Sequence, residues 1–237
     1  MISVCIATKN GSRYVGEQLG SILSQLGPDD EVIISDDAST DKTIENILSL
    51  ADPRIRILEQ PNQHSIGIVA NFERCLRETK GDLIFLADQD DVWLPNKVKK
   101  LSKHLTEFDL VISDCRLVDQ HLQPLQQKLT KRHKMQTGLV RNLIHNSYMG
   151  CCMALRRTVL MKSLPFPKDI PMHDIWIGLV AELYFRVALE REPLVLHRRH
   201  EHNATTTGLP SQLSMRVKFA NRYRILKNLI LHKIYAG

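Results

Sequence analysis

Four times within about 110 residues a short apolar run gives way to a helical pattern, and this rhythm limits the chain to very few folds. Ile2 to Ala7 and Glu31 to Ser35 read as buried strands, Arg54 to Leu58 as a sheet-edge strand, and Gly81–Trp93 opens on a fourth apolar strand. Helices are predicted over Tyr14 to Leu26, from the caps Ser39 or Thr40 to about Leu50, over Gly67 to Thr79, and over Pro95 to Glu107. A further strand follows at Asp109 to Ser113. Short strands alternating with helices of this length demand parallel crossovers, so the expected fold is α/β: a Rossmann-like, mostly parallel central sheet flanked by helices. With 237 residues the chain is long enough for one large core and too short for two.

In such a sheet ligands collect at the carboxyl ends of the strands, and the polar residues of this chain fall there. Thr8 and Asn10 follow the first strand, Asp36 and Asp37 the second, and Asp88, Asp90 and Asp91 the fourth. Three acids within four positions repel one another unless water or a divalent cation screens them, and such a cation takes oxygen ligands. Asp91 has a second reading, as a cap for the helix opening near Pro95. No G-x-G-x-x-G follows the first strand and no G-x-x-x-x-G-K-[ST] occurs, which excludes the glycine-based nucleotide sites. Carboxylates that recognise base and ribose, with a cation against the phosphates, point instead to a nucleotide-sugar site.

Beyond Asp114 the alternation loosens into a Gln- and Lys-rich excursion, Gln120 to Gln136, predicted as a surface loop. Gly150 to Leu155 reads as a strand, Arg156 to Leu164 as a short helix, and Leu194 to His197 as a last strand. Ile175, Trp176, Leu179, Val180 and Leu183 give the segment His173 to Tyr184 a core-facing helical side. The five cysteines are odd in number and form no C-x-x-C pair, so reduced, buried thiols are expected rather than disulfides or a zinc site.

The net charge of +6 resides in the last residues: Arg216, Lys218, Arg222, Arg224, Lys227 and Lys233 stand in a stretch without acids, leaving 26 bases and 26 acids before it. Residues 211–235 place apolar side chains among these cations, an outline of a basic amphipathic helix pair. Such a segment either lies on an anionic membrane surface or packs on the domain before it. We therefore divide the chain into a domain over 1–208 and a C-terminal basic helical segment over 209–237. An aromatic content of 5% and no nucleic-acid motif exclude DNA or RNA as partner. No apolar run approaches the roughly 18 residues of a spanning helix, and Met1 leads straight into a strand, so the expected location is cytoplasmic or peripheral on the inner face of the plasma membrane.

The pieces Ser3-Val4-Cys5-Ile6-Ala7-Thr8-Lys9-Asn10, Ile34 to Asp41, Asn62 with Gly67 and Asn71, Asp88-Gln89-Asp90-Asp91-Val92-Trp93 and His173-Asp174-Ile175-Trp176 occur in an order and spacing that resembles family 2 glycosyltransferases of the GT-A fold. The likeness covers about residues 2 to 208 and is greatest to bacterial rhamnosyltransferase-like members that build surface polysaccharides. It implies that Thr8, Asn10 and Asn71 serve the nucleotide pocket and that one of Asp36 or Asp37 binds the base. It further implies that Asp88 and Asp90 form a D-x-D motif, one near the ribose and one on Mn²⁺ or Mg²⁺. The late segment of the family reads roughly Tyr-Arg-Gln-His and then Asn. Arg198, His200 and Asn203 fit it and His197 and Arg199 depart from it. By this likeness His200 completes the metal shell, with His202 as a neighbour in an adjacent register, and Arg198 holds the diphosphate.

Inverting transfer requires a base for the acceptor hydroxyl, and Asp174 is the candidate; neighbouring His173 points about 100° away on the helix. The implied reaction moves a sugar from a nucleotide-diphosphate donor, dTDP-rhamnose or a UDP-hexose, to a glycan or lipid-linked glycan acceptor. Two rivals are a haloacid-dehalogenase-type phosphohydrolase, suggested by Asp88-x-Asp90, and a non-catalytic sugar-nucleotide binding module.

Overall fold

The computed structural model describes residues 1–58, 64–125, 135–201, 203 and 214–235. Asn62, the turn around it, most of the Gln-rich excursion, His202 and the first residues of the basic tail lie outside these.

One eight-stranded mixed sheet carries the molecule, with strand order β3-β2-β1-β4-β7-β6-β8-β5. Its parallel half consists of β1 (Ile2–Thr8), β2 (Glu31–Asp36), β3 (Ile55–Leu58) and β4 (Leu83–Asp88). The crossovers are α1 (Val15–Leu23), α2 (Thr43–Leu48) and α3 (Ile68–Arg77). Val4, Cys5, Ile6, Val32, Ile33, Ile34, Ile84, Phe85 and Leu86 are inaccessible to solvent, as expected of strands covered on both faces.

The second half departs from the simple alternation. A two-residue strand, β5 (Val92–Trp93), follows the acidic turn, then α4 (Lys97–His104), β6 (Leu110–Val118), α5 (Leu139–Ile144) and a 3₁₀ turn at Gly150–Cys152. Where a strand was expected from Gly150, β7 is only Met153–Arg156, antiparallel to both β4 and β6. The chain continues through α6 (Arg157–Ser163) and α7 (His173–Tyr184) into β8 (Val187–Arg198). Strand β8 is far longer than the predicted Leu194–His197. It runs parallel to β6 through two register shifts and then antiparallel to β5, pairing Val92 with Leu196. The shifts surround Asp114, where polar Glu190 to Pro193 interrupt the apolar pattern.

Helix α7 is a core element. Trp176, Ile177, Leu179 and Val180 are buried, and the Trp176 indole donates to the Ser163 carbonyl at 2.9 Å. Gly178 lets the helix press against Tyr148, because a Cβ there would lie 2.5 Å from the tyrosine ring. The tyrosine hydroxyl in turn donates to Glu182 at 2.6 Å.

The basic tail forms one helix, α8 (Met215–Tyr235), where a pair was expected. Ile225 and Leu229 are buried in the common core, the Asn228 amide donates to Asp169 at 2.7 Å, and the His232 ring stands edge-on to Trp176. Met215, Phe219, Tyr223, Leu226, Ile230 and Ile234 remain exposed. Among the described residues no helix is long and apolar enough to cross a membrane.

Candidate active site

The parallel register sets the floor of the site. Thr8 pairs with Asp36 and Ala7 with Asp88, so three adjacent strands end side by side. Thr8 Oγ1 donates to Asp36 Oδ1 at 2.7 Å, and Ser39 adds its backbone N–H at 2.8 Å and its hydroxyl at 2.6 Å. Asp37 accepts from Ser65 Oγ, Ile66 N–H and Gly67 N–H. Burial raises its pKa, but these donors and Lys9 outweigh that and hold the carboxylate below its usual range. Asp36 thereby fastens the turn that follows β2, and Asp37 the segment Ser65–Gly67 ahead of α3.

Asn10 sits exposed at the mouth in the left-handed region, φ 49°, which asparagine tolerates; its Oδ1 accepts from Thr40 N–H at 2.8 Å. Asn71, expected in the pocket, is instead a buried cross-brace: its amide donates to the Ser35 carbonyl at 2.8 Å and accepts from the Ser35 hydroxyl at 2.5 Å. Gln89, the middle residue of Asp88-Gln89-Asp90, was not anticipated. It binds the Lys9 backbone twice and lies so close to Gly11 that a Cβ there would fall 2.3 Å from its Oε1.

Asp90 is the residue on which the far end of β8 converges. His200 Nε2 lies 2.7 Å from Asp90 Oδ2, the Asn203 amide donates to the same oxygen at 2.9 Å, and the Tyr14 ring packs on the His200 imidazole. A carboxylate and an imidazole meeting at one point fit Mn²⁺, which accepts both oxygen and nitrogen ligands. Asp90 and His200, both expected as metal ligands, stand side by side, and His202 lies outside the described residues.

Asp91 does not cap a helix, since Asn96 precedes α4 in a left-handed conformation. It is wholly buried, 3.0 Å from His197 Nδ1, and accepts the Arg198 backbone N–H at 3.0 Å. Burial opposes a charge on His197, yet Asp91 prevails and carries its pKa up to about 9. Arg198 is neither a solvated charge nor a surface phosphate ligand. Its guanidinium is buried over the Tyr14 ring and donates to the backbone oxygens of Asp90 and Gln120 and to the Glu17 carboxylate.

Asp88 is half-buried in the cleft, and burial, together with the charges of Asp91 and Asp90, pushes its pKa well up. The charge of Asp174 adds a smaller push on Asp88 in the same direction. Asp174 stands in the first turn of α7, accepts the N–H groups of Ile175 at 2.6 Å and Gly150 at 3.3 Å, and is raised by burial to about 6. His173 faces inward, stacked on Phe72 with ring centroids 3.8 Å apart, and burial lowers its pKa to about 3, so it is neutral.

Comparisons with known proteins agree with this arrangement. The model of the family described as Glycosyl transferase family 2 matches residues 3–164. The dTDP-rhamnosyl transferase RfbG of Shigella flexneri is 28% identical over 97% of this chain and 80% of its own length. An uncharacterized glycosyltransferase of Nostoc is 29% identical over 74% of this chain, which spans 56% of that relative. Among solved structures, S. aureus TarS residues 1–349 in complex with UDP-GlcNAc superposes with a TM-score of 0.73 at 18% identity, covering 99% of this chain and 66% of that one. Glucosyl-3-phosphoglycerate synthase of Mycobacterium tuberculosis, in complex with Mn²⁺, UDP and phosphoglyceric acid, gives 0.62 at 20% identity, over 98% and 78%. The fold is that of the GT-A glycosyltransferases, and the chain belongs to glycosyl transferase family 2.

Proposed function

We propose that this chain is an inverting glycosyltransferase that moves a sugar from a nucleoside-diphosphate donor to a hydroxyl of a surface glycan or lipid-linked glycan. The observation that carries the reading is Asp174: a carboxylate in the first turn of α7, held by the N–H groups of Ile175 and Gly150 and raised by burial to about 6. A base with that pKa is ionised at neutral pH and basic enough to take a proton from an attacking hydroxyl. Thr8, Asn10, Asp36, Asp37 and Asp88 border the donor cleft, while Asn71 and Arg198 act behind it as braces. Asp90 and His200 are the residues that would hold Mn²⁺ or Mg²⁺, which when bound neutralises charge on the departing diphosphate. The phosphohydrolase reading loses its support, because its nucleophile motif belongs on the first strand and Asp88 ends the fourth.

dTDP-rhamnose is the first donor to test, given the Shigella relative, and UDP-hexoses the second, given the E. coli relative named as a UDP-Glc:α-D-GlcNAc-diphosphoundecaprenol β-1,3-glucosyltransferase. Release of nucleoside diphosphate from a panel of nucleotide sugars, with and without EDTA, tests the reading. Activity on one donor that EDTA abolishes and Mn²⁺ restores supports it; no turnover of any donor with any acceptor glycan sinks it.

Helix α8 supports an acceptor held at a membrane. Six of its exposed apolar residues, Met215, Phe219, Tyr223, Leu226, Ile230 and Ile234, recur at spacings of four, four, three, four and four, with Val217 and Leu231 exposed beside them and six cations along the tail. Two such helices repel each other, whereas an anionic bilayer attracts both the charges and the apolar side chains. Flotation with vesicles containing phosphatidylglycerol, absent with pure phosphatidylcholine and lost in a Phe219→Ser, Leu226→Ser, Ile230→Ser variant, is the expected result.

A further inference from the structure

Cysteine spacing offers no zinc motif, but the fold assembles a soft-metal donor set from distant segments. Asp88 ends β4, Asp91 lies in the turn after it, Cys151 in the 3₁₀ turn and His197 near the end of β8. One ligand atom from each lies within 4.8 Å of every other. His197 Nδ1 is 3.0 and 3.2 Å from the two Asp91 oxygens and 3.8 Å from Cys151 Sγ. Asp91, Cys151 and His197 are buried, while half-buried Asp88 gives the cluster a wall on the cleft.

A thiolate, an imidazole and two carboxylates suit zinc, whereas Mg²⁺ prefers oxygen alone. Charge also balances. Three anionic donors face a dication and the buried ammonium of Lys97, whose Nζ donates to the Cys151 carbonyl at 2.5 Å. The Arg198 backbone N–H already orients Asp91, the kind of outer partner that metal ligands require.

We propose that Asp91, Cys151 and His197, with Asp88 as fourth ligand, form a zinc-selective site that shares no ligand with the Asp90–His200 pair. Binding forms the metal bonds to Cys151 Sγ, His197 Nδ1 and the carboxylate oxygens of Asp91 and Asp88, and releases to solvent the protons that these donors carried. Because zinc withdraws Asp88 from the cleft, it inhibits the reaction; this consequence, unlike the site itself, rests on the transferase reading above.

The test is cobalt spectroscopy on the metal-free full chain. Titration with Co²⁺ is expected to produce a near-ultraviolet thiolate-to-cobalt charge-transfer band that one equivalent of Zn²⁺ removes. The band should persist in His200→Ala and Cys152→Ser and vanish in Cys151→Ser. No band in the unaltered chain, or a band that survives Cys151→Ser, overturns the proposal whatever the enzyme activity. As a check independent of any variant, zinc should slow alkylation of Cys151 by more than about tenfold, read by mass spectrometry; an unchanged rate also overturns it. If the band follows this pattern but Zn²⁺ does not inhibit sugar transfer, the site stands and the donor-cleft reading of Asp88 falls.

Discussion

The Gln89 side chain grips Lys9 from both sides of its peptide unit: Oε1 accepts the Lys9 N–H at 2.9 Å and Nε2 donates to the Lys9 carbonyl at 2.9 Å. The turn after β1 is thereby clamped to the acidic turn after β4. Each bond contributes about 1 kcal/mol to holding that geometry. Gln89→Ala should raise the donor KM by about tenfold with little change in kcat, measured by saturation kinetics. An unchanged KM would mean that the turn keeps its shape without the clamp.

Asp174→Asn removes the proposed proton acceptor and should lower kcat by about 10²- to 10⁴-fold while the donor still binds. In the unaltered chain the active form is the ionised one. The carboxyl is raised from 3.8 to about 6, so kcat/KM should fall as pH drops below about 6. The folded state also binds this proton more tightly than the unfolded one, so Asp174 makes stability decline as pH rises between those values. Melting temperatures across pH 4 to 7 should fall more steeply with rising pH in the unaltered chain than in Asp174→Asn.

His197 and Asp91 form a buried ion pair whose removal by halves is costly. His197→Ala leaves Asp91 charged and unpaired and should destabilise the fold by about 3–5 kcal/mol in urea unfolding. Because the pair raises His197 from 6.5 to about 9, its contribution is full below the unfolded value and lost as pH climbs through about 9. A stability curve flat across that window would show the histidine to be neutral throughout.

Gly178→Ala forces a methyl into the Tyr148 ring and should cost about 1–3 kcal/mol. Thermal unfolding measures it. Activity per folded molecule should fall as well, since α7 carries Asp174 in its first turn.

His200→Ala should raise the Mn²⁺ concentration needed for half-maximal activity by about ten- to a hundredfold without abolishing turnover at saturating metal. Metal titration of initial rates decides it; an unchanged requirement would remove His200 from the shell.

Helix α7 was legible to the residue, because apolar side chains at three- and four-residue spacing mark its buried side from Ile175 onward. The parallel strands were legible for the same local reason. Strand β8 was not: Glu190, Arg191, Glu192 and Pro193 hide its first half, and only tertiary pairing with β6 makes that half a strand. Among site residues, strand-end acids announce themselves by following an apolar run. Gln89, Asp91 and Cys151 act through partners far away in sequence, Gln89 on Lys9, and Asp91 and Cys151 on His197, and no local pattern encodes such meetings. Arg198 and Asn71 show the opposite error, where residue type suggests a ligand contact and burial assigns a brace.

Strand β8 couples the site to the order of synthesis. The donor floor, from Thr8 to Asp91, leaves the ribosome early, whereas the partners of Asp90 and Asp91 arrive only with residues 197–203. A nascent chain therefore holds Asp36 and Asp37 already paired, while Asp90 and Asp91 wait for the second half. Those two carboxylates gain their side-chain partners only when β8 and the residues just after it dock.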